Sequence, residues 1–189
     1  DGPYAECVRH ANIAVELRTA LDATYRLGRN RSGVGVYSRD MFVGLARAHP
    51  EERFLYCYRP HRLWKSLVDT LPPNATRRWL HGSTNPAPNA DLFHALNQRV
   101  EARARRTVCT FHDLFALTGE CSSPDFRARF SDQARRAAEH SDAIIAVSRF
   151  TASHVEQLLG VEASRIHVIP HGVRVSPAFH SSAVREKMV

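Results

Sequence analysis

No stretch of the 189-residue sequence approaches the roughly twenty consecutive apolar residues that a membrane-spanning helix needs, so a helical membrane span is excluded. Cysteine is scarce. Cys7, Cys57, Cys109 and Cys121 form no C-x-x-C pair, and two of the four fall in apolar segments, which favours reduced structural thiols in a cytoplasmic protein. H-E-x-x-H is missing, so a metal-hydrolase site finds no support, and no G-x-S-x-G surrounds a serine that could serve as a nucleophile. No Walker lysine follows the glycines near residue 33, and Ser38 stands where the third glycine of G-x-G-x-x-G would be. There is no basic-then-apolar leader. The chain begins at Asp1 and closes in a polar run, His180 to Val189, which reads as a piece of a longer protein.

What is present is the composition of an ordinary globular domain, with 43% apolar and 24% charged residues in a length suited to one core. Lysine and arginine outnumber the acids 26 to 19, for a net charge of +7. Such a charge attracts phosphates, whether on nucleic acid, lipid or substrate. The arginine-rich stretches 99–106 and 127–136 are broken by Glu101, Asp132 and alanines, so they read as solvated helix faces. Nucleic acid is therefore not expected as a partner.

Apolar runs alternate with helical periodicity along the whole chain. Strands are expected at Ala11–Leu17, Arg53–Tyr58, Thr76–His81, Asp91–Leu96, Thr107–Phe111, Ala143–Val147 and Ile166–Ile169. A polar loop, Arg18 to Gly35, opens a helix that carries Tyr37, Met41, Leu45 and Ala48 on one stripe and stops before Pro50. Further helices are expected over Arg62–Leu71, from Ser123-Pro124 with Phe126, Phe130, Ala134, Ala137 and Ala138 on one face, and from Ser148 to Gly160. The alternation predicts an α/β fold, a doubly wound Rossmann-like parallel sheet with helices on both faces, in one domain spanning residues 1–189.

In such sheets ligands bind beyond the carboxyl ends of the strands. Gly33, Val34 and Gly35 open a helix there, where backbone N–H groups can face an anion, although a plain structural turn is an equal reading. His112 and Asp113 follow a buried strand and invite a role in binding or catalysis, against the alternative of a capping Asp beside a bonded His. Ser148 and Arg149 sit at another strand-to-helix mouth, where capping by Ser148 is the safer role. His94 reads as the satisfied end of a strand, and His171 as part of a glycine turn; the spacing of His94, His112 and His171 supports no metal.

Taken together, Ser32-Gly33-Val34-Gly35, Asp91-Leu92-Phe93-His94, Thr110 to Leu114, Ser141 to Ser148 and Arg165 to Val173 resemble the group 1 (family 4) retaining glycosyltransferases of GT-B fold, over nearly the whole chain. The resemblance implies the N-terminal, acceptor-side half of a two-domain enzyme whose C-terminal donor-binding domain lies outside this chain. It implies transfer of a hexose, with retention, from a nucleotide-sugar such as a UDP- or GDP-hexose to a saccharide or lipid-linked acceptor, without a bound metal or other cofactor. Gly33 and Gly35 would then approach the donor diphosphate and His112 the transferred sugar, with His94, Asp113, Ser148, Arg149 and His171 as acceptor or sugar contacts. The family commonly has Asn where this chain has His171, and its paired glutamates in E-x7-E, which belong to the second domain, have no counterpart here. The fragment alone is therefore expected to be inactive. A cytoplasmic protein in peripheral contact with an anionic inner membrane face suits the charge. Two other readings stand beside this one: a non-catalytic anion- or carbohydrate-binding module of the same fold, and a GT-B sugar-nucleotide epimerase.

Overall fold

The computed structural model of the chain describes residues 17–27, 32–80, 90–119 and 122–172. Seven parallel strands form one sheet: β1 (Arg18–Asp22), β2 (Arg53–Tyr58), β3 (Ala75–Trp79), β4 (Leu92–Ala95), β5 (Arg106–Phe111), β6 (Ala143–Ala146) and β7 (Ile166–Val168). Their order is β3-β2-β1-β4-β5-β6-β7. The direction of winding reverses between β1 and β4, and α/β sheets open a crevice for ligands at such a reversal. Among the described residues five α-helices accompany them: α1 (Gly33–Ala48), α2 (Leu63–Leu67), α3 (Phe115–Thr118), α4 (Pro124–His140) and α5 (Arg149–Leu159).

The two faces of the sheet bury different sets of side chains, as parallel strands covered on both sides require. Leu21, Tyr56, Tyr58 and Leu96 pack with Phe42 and Ala46 of α1 on one face. Phe93, Cys109, Phe111 and Ile144 pack with Ala134, Ala137 and Val155 of α4 and α5 on the other. Side-chain alternation along β4 and β5 thus sends Phe93 and Phe111 one way, and His94 and Thr110 the other, toward α1. Caps fix the helix starts: Ser32 Oγ accepts from Gly35 N, Ser123 Oγ from Phe126 N, and Ser148 Oγ from Thr151 N. Gly160, at φ 68°, ends α5 in the left-handed conformation that favours glycine.

One expected strand lies elsewhere. Ala11 to Glu16 fall outside the described residues, and the first strand is Arg18–Asp22, inside the segment read as loop. Two of its three polar residues mislead, because Thr19 and Asp22 are buried with Ala20 and Leu21 between β2 and β4. Asp22 is satisfied there by Thr24 N at 3.0 Å and by the Arg59 guanidinium at 3.0 Å. The helix expected over 62–71 shrinks to one turn, Leu63–Leu67. Beyond it the backbone of Asp69 and Thr70 accepts from Arg77 and Arg26, and so cannot continue the helix. The inward stripe of α1 is also rotated, with Gly35, Ser38, Phe42 and Ala46 buried. Tyr37, Met41 and Leu45 lie beside that stripe, half-buried.

Candidate functional site

His112 follows β5 directly, and three elements hold it. Its Nε2 lies 2.9 Å from the carbonyl oxygen of Leu96, just past β4. Its Nδ1 lies 3.2 Å from Nε2 of His171, after β7, and its own carbonyl accepts from Thr151 Oγ1 of α5 at 3.2 Å. A carbonyl only accepts, so His112 carries its proton on Nε2, and in the neutral ring Nδ1 is a lone pair. His171 must then be the donor, through Nε2–H. The tautomers of both rings follow from one backbone oxygen.

Tyr37 of α1 packs against both rings, which stack on each other with centroids 5.2 Å apart, edge-on to His112 at 4.9 Å and tilted against His171 at 4.6 Å. The hydroxyls of Tyr37 and Thr110 are 3.4 Å apart, and Thr110 Oγ1 is 2.9 Å from His94 Nε2. Burial pushes the Tyr37 phenol pKa up, eased by its bond to Thr110, so the group stays neutral. Burial lowers the pKa of His94 to about 4. His94 is therefore a neutral support beneath the site, one step from Tyr37, and it lines neither cavity described below. The pKa of His171 is lowered by burial first and by the neighbouring His112 second.

His112, Asp113 and Val34 form the wall between two cavities. The smaller, roughly 430 Å3, opens toward α3 and α4 and is lined by Gln98, Arg99, Phe115, Phe126, Arg129 and Gln133. The larger, roughly 1100 Å3, runs along α1 past Gly33, Tyr37 and Met41 to Ile145, Ile169 and His171. Both volumes suit small ligands. Gly33 faces open space on the side where a Cβ would stand, so a ligand can approach its backbone. As at any helix start, the first-turn N–H groups of Gly33 and Val34 have no intrahelical acceptor.

The remaining expected residues divide. Asp113 is exposed at the shared wall, and its Oδ1 accepts from Phe115 N at 3.3 Å, opening α3. Ser148 caps α5, and Arg149 is exposed and lines neither cavity. The structure thus brings together Gly33, Val34, His112, Asp113 and His171, leaves His94 underneath, and sets Ser148 and Arg149 apart. Sequence reasoning missed Phe115, Phe126, Arg129 and Gln133. Phe126 was read as core, yet it is 40% exposed at the cavity. Its position, one turn into a helix that starts at a strand mouth, was the available signal.

Behind the site runs a buried charge network. Arg59 pairs with Asp22 at 3.0 Å and lies 3.0 Å from Glu101, which also pairs with Arg99 at 2.8 Å. Arg99 is thereby neutralised on the protein's own side. Arg129, across the smaller cavity, is exposed on α4. Among the described residues no three His, Cys, Asp or Glu side chains gather as metal ligands would.

Comparison with known proteins agrees with the fold. A search of curated proteins finds no match. Among solved structures, Anabaena Alr3699/HepE in complex with UDP matches with a TM-score of 0.53 at 16% identity, covering 91% of this chain and 50% of that one. A variant of the wall teichoic acid polymerase TagF matches with a TM-score of 0.50 at 12% identity, covering 85% of this chain and 39% of that one. At such identities the likeness is one of fold, and this chain spans half or less of either. The family model described as Glycosyltransferase Family 4 matches residues 31–176, which carry the whole of the site, and the chain belongs to that family.

Proposed function

We propose that this chain is the acceptor-side half of an enzyme that transfers a hexose, with retention, from a nucleotide-sugar to a saccharide or lipid-linked acceptor. The observation that carries the reading is the placement of His112 on the wall between two cavities, with its tautomer set from behind by Leu96. Nε2 is tied to a buried backbone carbonyl, whereas the partner of Nδ1 is the exposed His171. A sugar hydroxyl can replace His171 as donor to Nδ1. His112 therefore acts as a fixed hydrogen-bond acceptor for the transferred sugar, placing its anomeric carbon without forming a bond to it.

The first-turn amides of α1 at Gly33 and Val34 would meet the charge that develops on the leaving diphosphate as the glycosidic bond lengthens. The smaller cavity suits the acceptor: Phe115 and Phe126 offer apolar ring faces to a sugar, Gln98 and Gln133 offer hydrogen bonds, and the carboxylate of Asp113 can orient the attacking hydroxyl. The donor nucleotide would be held mainly by a second domain, in keeping with the share of HepE and TagF that this chain covers.

The test is release of nucleoside diphosphate by the full-length parent from a panel of sugar nucleotides, wild type beside His112→Ala. Sugar-dependent release that falls by about a hundredfold or more in the variant supports the reading, since one lost preorganised hydrogen bond at a reacting centre costs that much. Release that survives the substitution removes His112 from the mechanism. No release from any donor by a folded parent favours a binding module, and an epimerised sugar nucleotide among the products would favour the epimerase.

A further inference from the structure

Phe126, Arg129, Phe130 and Gln133 of α4 all line the smaller cavity. They stand at i, i+3, i+4 and i+7, the spacing by which a helix turns one stripe toward the body of the protein. Ala134, Ala137 and Ala138 carry the adjoining stripe into the core, whereas two of the four cavity positions hold an arginine and a glutamine. Arg129 is exposed and, among the described residues, makes no hydrogen bond or ion pair. Its acidic neighbour Asp132 is taken by Arg136 at 2.5 Å.

The other cation of the cavity is already answered by the protein. Arg99 pairs with Glu101, and the second acid of that network, Asp22, pairs with Arg59, so two arginines meet two carboxylates. Asp113, at the His112 end, lines the same space of roughly 430 Å3 as Arg129, yet the two form no ion pair. A carboxylate and a guanidinium thus stand apart in one small cavity. Between them lie the rings of Phe115, Phe126 and Phe130, whose low polarisability leaves the field of the guanidinium less screened than on an open surface.

We propose that the acceptor is an acidic saccharide, whose carboxylate or phosphoryl oxygens are held by Arg129 and by the side-chain amide of Gln133, one turn along the same stripe. The planar fork of an arginine matches two such oxygens at once. The opposite charges at the two ends also set direction: Asp113 repels the oxyanion, so the acidic group points to α4 and a hydroxyl is left beside Asp113 and His112. Calling the ligand an acceptor rests on the transfer reading; the anion site is testable without it.

Calorimetry of the full-length parent with methyl glucosides, galactosides and mannosides, each beside its uronic acid and its 6-phosphate, reads the charge preference without any transfer. In at least one series an anionic member should bind about tenfold or more tightly than the neutral one, the worth of one charge-assisted hydrogen bond. Which anionic member gains more tells carboxylate from phosphoryl recognition. Arg129→Gln should erase the difference with circular dichroism unchanged, and Arg129→Lys should restore part of it. Arg135→Gln, the same loss of charge at an exposed position of α4 that does not line the cavity, should leave the difference intact. No anionic sugar bound more tightly than its neutral counterpart overturns the proposal. So does a preference that Arg135→Gln weakens as much as Arg129→Gln does, which would make it an effect of net charge. Nucleoside diphosphate release stimulated equally by neutral and acidic sugars keeps the transfer reading and overturns the anion site; an Arg129-dependent preference in a parent that releases none from any donor keeps the site and overturns the transfer reading.

Discussion

Lowering the pH from about 7.5 to about 5 should destabilise this chain by about 2 kcal/mol through one residue, His94. Its ring is buried, its Nε2 bonds Thr110 Oγ1, and burial lowers its pKa from 6.5 to about 4. The unfolded chain takes up the proton near pH 6.5 and the folded chain only near pH 4, so acid favours unfolding between those values. The stabilisation is fully present above pH 6.5 and is lost as the pH falls toward 4, and the whole gap corresponds to about 3 kcal/mol at about 1.4 kcal/mol per pH unit. His171, whose pKa is also lowered, adds to the loss in the same direction. Urea unfolding across this range, wild type beside His94→Gln, isolates the term, because every other titration is common to both chains. The glutamine amide can still bond Thr110 but does not titrate. The wild-type curve should fall more steeply with acid by about 2 kcal/mol at about pH 5. Parallel curves would refute a buried neutral His94, and with it the support it gives to Thr110 and Tyr37 beneath His112.

Asp22→Ala leaves the Arg59 guanidinium buried beside only the half-exposed Glu101, and equilibrium denaturation should register a loss of about 3 kcal/mol, the low end for a broken buried pair. Phe126→Ala, at the smaller cavity, should, if that cavity takes the acceptor, raise KM for the acceptor by roughly fivefold with kcat and donor KM unchanged, the loss of about 1 kcal/mol of ring contact; an equal change in donor KM would place the ring elsewhere. Cys57 and Cys109 are buried, with thiol pKa values pushed up to about 12 by burial, so an aromatic disulfide reagent should leave both unmodified until the chain unfolds. His171→Asn should hold transfer near neutral pH within about fivefold of wild type and alter only the acid limb of the rate profile.

The fold was legible wherever local pattern and burial agree. The Ser123-Pro124 opening with alanines at helical spacing gave α4, and the aliphatic run before Ser148 gave β6. Where a polar residue is buried against a distant partner, local pattern points the wrong way: Thr19 and Asp22 make β1 look like loop, and what satisfies Asp22 is Arg59, 37 residues on. The same limit hid the smaller cavity. Phe126 and Phe130 are equivalent on a helical wheel, and only the position of α3 leaves one buried and the other at a rim. The hydrogen-bond direction at His112 was beyond sequence altogether, because it rests on the Leu96 carbonyl, which any residue at 96 would supply.

That last point bears on why this chain can carry His171 where the resemblance leads one to expect asparagine. With Nε2–H of His112 committed to Leu96, the remaining nitrogen asks only for a donor, and an asparagine amide supplies an N–H as readily as an imidazole does. A protonated His171 also still donates through Nε2, so acid does not break the bond; it places a positive charge beside His112 and close to the first turn of α1. Burial and His112 both lower the His171 pKa, which holds that charge off at neutral pH. In the proposed reaction an asparagine in place of His171 would therefore be neutral in geometry and distinctive only in acid, where the added charge of the imidazole would oppose an oxocarbenium-like carbon and favour the departing diphosphate. Those effects have opposite sign and act on different steps, so the acid limb of wild type divided by that of His171→Asn reads which of the two reacting groups lies nearer the imidazole. A ratio above one assigns the ring to the diphosphate, and a ratio below one assigns it to the sugar.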